Sequence, residues 1–449
     1  MSGTMHRRLI TGVAFAAIAG LALAGCSTSG GGGGGTSAKG PGDAGKADGV
    51  VTIYGTIADT EAALLQKSWA DWEKKNNITI KYESSKEFEA QIGIRAQGGN
   101  APDLAIFPQP GLLGDLASRG FIQPAPASVK ANLTKYWSKD WAGYATTDGT
   151  VYGAPLMASV KGFIWYSPKK FADNGWTVPK TWQEMLDLTK KIQTTTGKAP
   201  WCVGFGSDAA TGWPGTDWVE DVLLRQAGAK TYDNWVSHKT KFTDPAVKKA
   251  LDTVGEIVKN PAYVNAGWGD VKSINTTAFG DVATTLNNGS CTLTHQASFF
   301  DGFISDPKNG GGKVGPNADI WAFMTPPIDA SAGPAVTGGG EIVGAFSNDA
   351  DTIKVQKYLS SPEWANSRVK LGGVISANKG LDPASASSPI LQEAIKTLQD
   401  PDTTFRFDAS DLMPGAVGTA AFFKGMVDWI NGSSSDTVLK SIDAAWPTN

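Results

Sequence analysis

The sequence predicts an α/β architecture built on a parallel sheet, and three observations support it. Strand-like and helix-like segments alternate through residues 50–107, and apolar positions in the helical stretches recur every three to four residues. A Thr-x-x-Glu capping signal opens a further helix mid-chain. In order, 50–54 is an apolar strand. A helix capped by Asp59 or Thr60 follows, with Ala62, Leu65, Trp69 and Trp72 on its inner face. Next come a strand at 78–82, a helix at 88–97 stopped by Gly98-Gly99, and a strand at 103–107. Such β-α-β-α-β crossovers give parallel pairing, and ligands collect at the carboxyl ends of parallel strands. Those ends are 55–59, 84–87 and 108–111.

The middle of the chain continues the pattern. Thr181 and Glu184 form a capping box, each satisfying a backbone amide, ahead of Met185, Leu188 and Ile192; the helix ends near Gly197. Asp244-Pro245 opens another helix, with Val247, Leu251, Val254 and Val258 turned inward. Strands at 201–205, 291–295 and 321–323 are expected to form a second sheet. The tail reads as helices at 390–398, 416–430 and 437–445.

Composition narrows the function. The chain has 449 residues, 41% hydrophobic and 18% charged, enough for two or three domain-sized units and excluding wholesale disorder. A formal charge of −3 argues against nucleic acid as a partner. The only histidines are His6, His238 and His295, too few for a His-rich zinc site, and neither metal nor cofactor is expected. Tryptophan, a costly residue seldom left on a surface without a use, appears sixteen times.

Residues 1–25 read as an export signal. Arg7 and Arg8 precede an apolar run too short for a bilayer, where about 20 residues are needed. Leu23-Ala24-Gly25-Cys26 resembles the bacterial lipoprotein signal, which places a diacylglycerol on the sulfur of Cys26. Residues 26–48, with six consecutive glycines from Gly30 to Gly35, read as a tether averaging roughly 25 Å. Loss of Arg7 and Arg8 moves the formal charge from −3 to −5. The mature chain is then lipid-anchored on the outer side of the cell membrane. In that oxidising compartment Cys202 and Cys291, both in β-like segments, are expected to pair as a disulfide.

Motifs of common catalytic classes are missing. Gly204-Phe205-Gly206-Ser207-Asp208-Ala209 only superficially matches a dinucleotide fingerprint, because the acidic residue about 20 positions on is lacking. There is no P-loop, Gly-x-Ser-x-Gly elbow or His-Glu-x-x-His. A sugar ring has apolar C–H faces and a rim of hydroxyls, so it calls for flat aromatics bordered by carboxylates, amides and Arg. Four segments carry that mixture. Trp213 sits in Gly/Pro/Thr loop chemistry with Asp217 beside it; His295 and Gln296 lie at a strand end beside Phe299 and Phe300. Glu341 follows Gly338-Gly339-Gly340, and Arg406, Asp408 and Asp411 are interleaved with Phe405, Phe407 and Met413.

Several stretches carry a family resemblance. They are Val151-Tyr152-Gly153-Ala154-Pro155-Leu156, Trp165-Tyr166-Ser167-Pro168, Pro179-Lys180-Thr181-Trp182, Thr211-Gly212-Trp213-Pro214, His295-Gln296-Ala297-Ser298-Phe299 and residues 405–414. With the lipobox they resemble the extracellular solute-binding lipoproteins of ABC sugar importers, most closely the α-glucoside-binding group of the maltose-binding-protein-like superfamily. The resemblance implies a two-lobed type II periplasmic-binding-protein-like fold. Each lobe is a mainly parallel sheet flanked by helices, and the lobes are joined by three hinge crossings. We place these near 154–159, 337–341 and 373–378, giving lobe 1 as 49–156 with 339–374 and lobe 2 as 158–336 with 377–449. The resemblance further implies sugar contacts from Thr56, Gln109, Lys161, Trp213, His295, Asp408 and Asp411, an ABC permease as partner, a monomeric state and no enzymatic activity. The expected ligand is an α-linked di- or oligosaccharide such as trehalose, maltose or sucrose. The competing readings are a receptor for another sugar or a non-sugar solute, and a surface glycoside hydrolase using Glu341 and Asp408.

Overall fold

A computed structural model describes residues 47–265, 269–400 and 402–447. The leader, Cys26 and the tether up to residue 46 lie outside the described residues. Among the described residues no helix is long and apolar enough to cross a membrane.

The first sheet contains β1 (Val50–Gly55), β2 (Thr79–Ser84) and β3 (Leu104–Phe107), with β1 central and parallel to both neighbours. The helix Asp59–Asn76 buries Ala62, Leu65 and Trp69 on one face of this sheet. Phe88–Gln97 buries Phe88, Ile92 and Ala96 on the other. Covering both faces is what a parallel sheet of near-continuous apolar strands requires. The first helix is not capped by Asp59 or Thr60: its N-cap is Ala58, in extended conformation, and Asp59 is the first helical residue with φ +51°.

After a two-strand hairpin, β4 (Thr146–Thr147) with β5 (Thr150–Val151), β6 (Gly153–Val160) leaves this region fully buried and turns at Gly162 into β7 (Phe163–Tyr166). That glycine has φ +83°, and a Cβ there would lie 2.7 Å from Asp221 Oδ1, so both conformation and space exclude a side chain. β7 is central in the second sheet, between β8 (Leu293–Gln296) and β9 (Trp321–Met324). Both pairings are antiparallel, a departure from the mainly parallel second sheet expected. Residues 201–205 do not join it as a full strand; only Trp201 makes single parallel bridges, to Val264 and Leu293. The apolar runs at 163–166 and 201–205 look alike in periodicity, and only tertiary pairing separates strand from bridge.

β10 (Ala335–Ala345) links the two regions. Its first residues run parallel to β11 (Thr404–Phe407), its last run antiparallel to β3, and its length pairs with β6. Ala158 of β6 also bridges Ile375. The three segments proposed as crossings thus lie side by side. Gly338 and Gly340 lie flush against the carbonyls of Ser159 and Met157, leaving no room for a Cβ.

Local signals elsewhere are satisfied with small changes. Thr181 Oγ1 accepts from the Glu184 amide at 3.2 Å, but the Glu184 carboxylate reaches the Lys180 amide at 2.6 Å, one residue before the expected partner. Asp244 caps Pro245–Val258, accepting from the Ala246 amide at 2.9 Å. Residues 416–430 are not one α-helix: Ala416–Phe422 is wide π-type winding that passes into Phe423–Ile430. Cys202 and Cys291 form a disulfide with their Cα atoms 5.7 Å apart. Most tryptophans turn out to be core: Trp69, Trp165, Trp201, Trp235, Trp364 and Trp429 are fully buried.

Candidate functional site

All three carboxyl ends of the first sheet open into one cavity of about 750 Å³. Thr56 and Ile57 follow β1, Lys86 follows β2, and Pro108 and Gln109 follow β3. The facing wall comes from the start of the helix Trp213–Val236, the Gly339–Glu341 stretch of β10 and the residues after β11. Open α/β sheets place ligands at this position.

The floor is ionic. The backbone of Lys161, at the β6–β7 turn, is held by an N–H donated to the Thr337 carbonyl at 2.9 Å. Its Nζ lies 2.7 Å from Asp217 Oδ1 and 2.5 Å from Asp408 Oδ2, with all three side chains almost wholly buried. Burial alone would push the ammonium down; Asp217, Asp408 and Asp411 outweigh it and hold the lysine well above its ordinary range. Burial raises the Asp217 and Asp408 carboxyls, with Lys161 opposing. Glu220, behind them, is pushed up to about 8 by burial and by Asp217. One ammonium among so many acids means that protons are shared within the cluster.

Oxygens of Asp217, Glu220 and Asp408 lie within 4.8 Å of one another, a donor set that could hold a metal ion. Lys161 already supplies a cation to two of them. Glu220 accepts from the Ala409 and Ser410 amides at 3.1 and 3.0 Å.

Above the floor stands the indole of Trp213, its ring centre 5.1 Å from the Lys161 ammonium. The sequence places Trp213 on a loop. The structure makes it the first residue of a helix, after Gly212 in a left-handed conformation (φ +118°). Phe279 meets the indole edge-on with centroids 4.9 Å apart, and Phe299 lies 6.1 Å away. Trp213 is the only tryptophan that lines the cavity among the described residues. Among the described residues the aromatic lining is therefore one indole and four phenylalanines, Phe303 and Phe423 being the other two.

Polar groups complete the lining. The β10–β6 register shifts between Gly340 and Ile342, and this bulge takes Glu341 out of the ladder. Glu341 faces the cavity, and burial followed by the nearby Glu61 carboxylate pushes it up to about 8. Gln109 donates to Glu89 Oε1 at 3.0 Å and keeps its own buried Oε1 without a partner. Asp408 Oδ1 is likewise buried and unpartnered.

Of the residues singled out in the sequence, the structure brings Thr56, Gln109, Lys161, Trp213, Asp217, Glu341, Asp408 and Asp411 to this cavity. His295, Gln296 and Arg406 do not line it. His295 packs on Trp218 with centroids 4.5 Å apart, its Nε2 3.6 Å from Asp221 Oδ2. Arg225 and His295 hold Asp221 down at about 2 against its burial. Gln296 lies within β8 and turns its Oε1 to the Ala297 amide at 3.3 Å. Arg406 makes a two-pronged ion pair with Asp233, at 2.6 and 2.9 Å. Sequence reasoning placed Lys86 in a stretch where ligands collect without singling it out, and it missed Glu61, Glu89, Asp208, Phe279 and Phe303, which also line the cavity. Lys86 lies within a predicted strand end; the others carry no local signal.

Comparison with known proteins decides the family. Residues 55–364 match the family described as bacterial extracellular solute-binding protein. The chain is a member of that family. This solute-binding protein is 37% identical over 416 residues to the osmoprotective compounds-binding protein GgtB of Synechocystis sp., covering 92% of this chain and 96% of that one. It is also 37% identical over 407 residues to the alpha-glucosides-binding periplasmic protein AglE of Rhizobium meliloti, covering 88% and 86%. Solved structures share the fold. The bacterial solute receptor AcbH superposes with a TM-score of 0.76 at 19% identity, over 88% of this chain and 98% of that one. RafE in complex with raffinose gives 0.69 at 19% identity, over 88% and 98%. These neighbours are two-lobed, and the solute-binding protein has their type II periplasmic-binding-protein-like fold.

Proposed function

We propose that this protein is the substrate-binding component of an ABC importer and captures an α-linked glucose di- or oligosaccharide, such as trehalose, maltose or sucrose, in the cavity. The observation that carries the reading is the pairing of an indole platform at Trp213 with acids and an amide around its rim. Trp213 matches the apolar face of a pyranose, while Asp217, Glu341, Asp408, Asp411 and Gln109 match its hydroxyls. The α-glucoside-binding name of a relative aligned over most of both chains supports the same ligand class. Segments 154–159, 337–341 and 373–378 serve as the hinge between lobe 1 (49–156, 339–374) and lobe 2 (158–336, 377–449). Closure about it buries the sugar and forms the surface the permease reads, because the ligand binds the closed form more tightly.

Cys26 carries the lipid that holds the monomer outside the cell membrane, and two acyl chains suffice for stable anchoring. Mass spectrometry of the mature N-terminus is expected to show a diacylglycerol on Cys26, and Cys26→Ala is expected to release the protein.

Calorimetric titration with mono-, di- and trisaccharides tests the ligand class. A glucoside that binds at micromolar concentration, changes tryptophan fluorescence and raises the melting temperature is the expected result; a flat response across the panel contradicts it. Osmoprotective solutes belong in the same screen, because the relative GgtB is an osmoprotective compounds-binding protein. The bound sugar is expected to be recovered uncleaved after prolonged incubation.

A further inference from the structure

Lys86 Nζ and Asp208 Oδ2 are 3.0 Å apart, with the two side chains 62% and 58% exposed. Both line the cavity. Lys86 stands beyond the carboxyl end of β2, on the first sheet's side. Asp208 opens the short turn Asp208–Ala210 that leads to Trp213, on the opposite wall. The turn is braced: Ser207 N–H donates to Thr211 Oγ1 at 3.0 Å, and Thr211 Oγ1 donates to the Asp208 carbonyl at 2.7 Å. Asp208 has φ +47°, a conformation a non-glycine residue adopts at some cost. The brace therefore holds its carboxylate toward Lys86. The other ion pairs of the cavity, Lys161 with Asp217 and Asp408, are buried at the floor and do not reach the first sheet's side, whereas this exposed pair joins the two walls near solvent.

We infer that Lys86 and Asp208 form a gate across the cavity mouth that selects ligands by length. This rests on the proposed reading of the cavity as a saccharide site. A ligand contained in the cavity leaves the pair intact and is retained by it. A longer chain must pass between the two side chains and separate them, so it gains nothing from the pair. Because the pair is exposed, its effect is small and screened by salt.

The test uses Lys86→Glu, Asp208→Lys and the double exchange in the mature protein. Dissociation of maltose, maltotriose and maltotetraose is followed by stopped-flow tryptophan fluorescence at low and high salt. Small-angle scattering of the ligand-free protein reports how far it opens. Each single reversal is expected to speed maltose release about two- to fivefold at low salt, with maltotetraose release almost unchanged. The double exchange restores the wild-type rate, and high salt removes the difference. In scattering, the single reversals raise the radius of gyration and the double exchange returns it.

Equal acceleration for maltose and maltotetraose overturns selection by length. A double exchange that behaves as the sum of the single changes overturns the gate. Should the wild-type protein bind none of these maltodextrins, selection by length among them fails, while the saccharide reading stands or falls with the wider calorimetric panel. Scattering then decides separately whether the ion pair closes the mouth: an unchanged radius in both single variants overturns it.

Discussion

The ammonium of Lys161 lies 2.5 Å from Asp408 Oδ2, tying the turn between β6 and β7 to the residue just beyond β11. The same ammonium holds Asp217, at the start of the helix Trp213–Val236, and faces the Trp213 ring. A single cation thus organises both the acids and the aromatic platform of the cavity.

Removing it leaves two buried carboxyls without a counter-ion. Lys161→Met is expected to lower stability by about 3–5 kcal/mol near pH 8, the usual cost of breaking a buried pair. At pH 5 the loss is smaller, because the stranded acids take up protons. Urea unfolding at the two pH values measures the difference, and equal losses would show that Lys161 does not balance these acids. Sugar binding is expected to be lost at both.

Trp213 carries the stacking face. Trp213→Ala is expected to weaken sugar binding by about 2 kcal/mol or more, roughly thirtyfold, while Trp213→Phe retains most of the affinity. The indole is half-buried, so stability should move by only about 1 kcal/mol. Calorimetry and a melting scan on the same samples separate the two effects.

Asp301 is buried at 5% exposure and accepts a hydrogen bond from Ser388 Oγ at 2.9 Å. Burial pushes its carboxyl up to about 6, with the Ser388 bond opposing. A raised acid favours the folded state while protonated, so its contribution is complete below its ordinary value of 3.8 and fades as pH rises through 6. Asp301→Asn is therefore expected to stabilise the protein at pH 7.5, by up to about 3 kcal/mol, and to be near neutral at pH 4. Denaturant midpoints at both pH values check the sign.

The disulfide between Cys202 and Cys291 closes a loop spanning 89 positions. By the chain-entropy account such a loop contributes about 4–5 kcal/mol. Replacing both cysteines by serine is expected to lower the melting temperature markedly while leaving sugar affinity nearly unchanged, since neither cysteine lines the cavity. A double variant that melts with the parent would show that the crosslink adds little.

Local and covalent features were legible in the sequence because they depend on neighbouring residues. The first sheet's strands and helices, the Thr181 and Asp244 caps, and the cavity at the carboxyl ends of β1, β2 and β3 follow from periodicity and hydrogen-bonding chemistry. So does the pairing of Cys202 with Cys291. What the chain order could not settle is which side chains meet. The runs at 163–166 and 201–205 are equally apolar, yet only the first finds two partners for a full ladder. His295 and Arg406 carry the same chemistry as the residues at the cavity, but Asp221 and Asp233 claim them elsewhere. Glu61 and Phe279 reach the site with no local signal, since convergence across long separations is decided by packing. Most of the tryptophans went to the core for the same reason: large apolar area is worth more buried than displayed, and among the described residues one indole was left for the cavity.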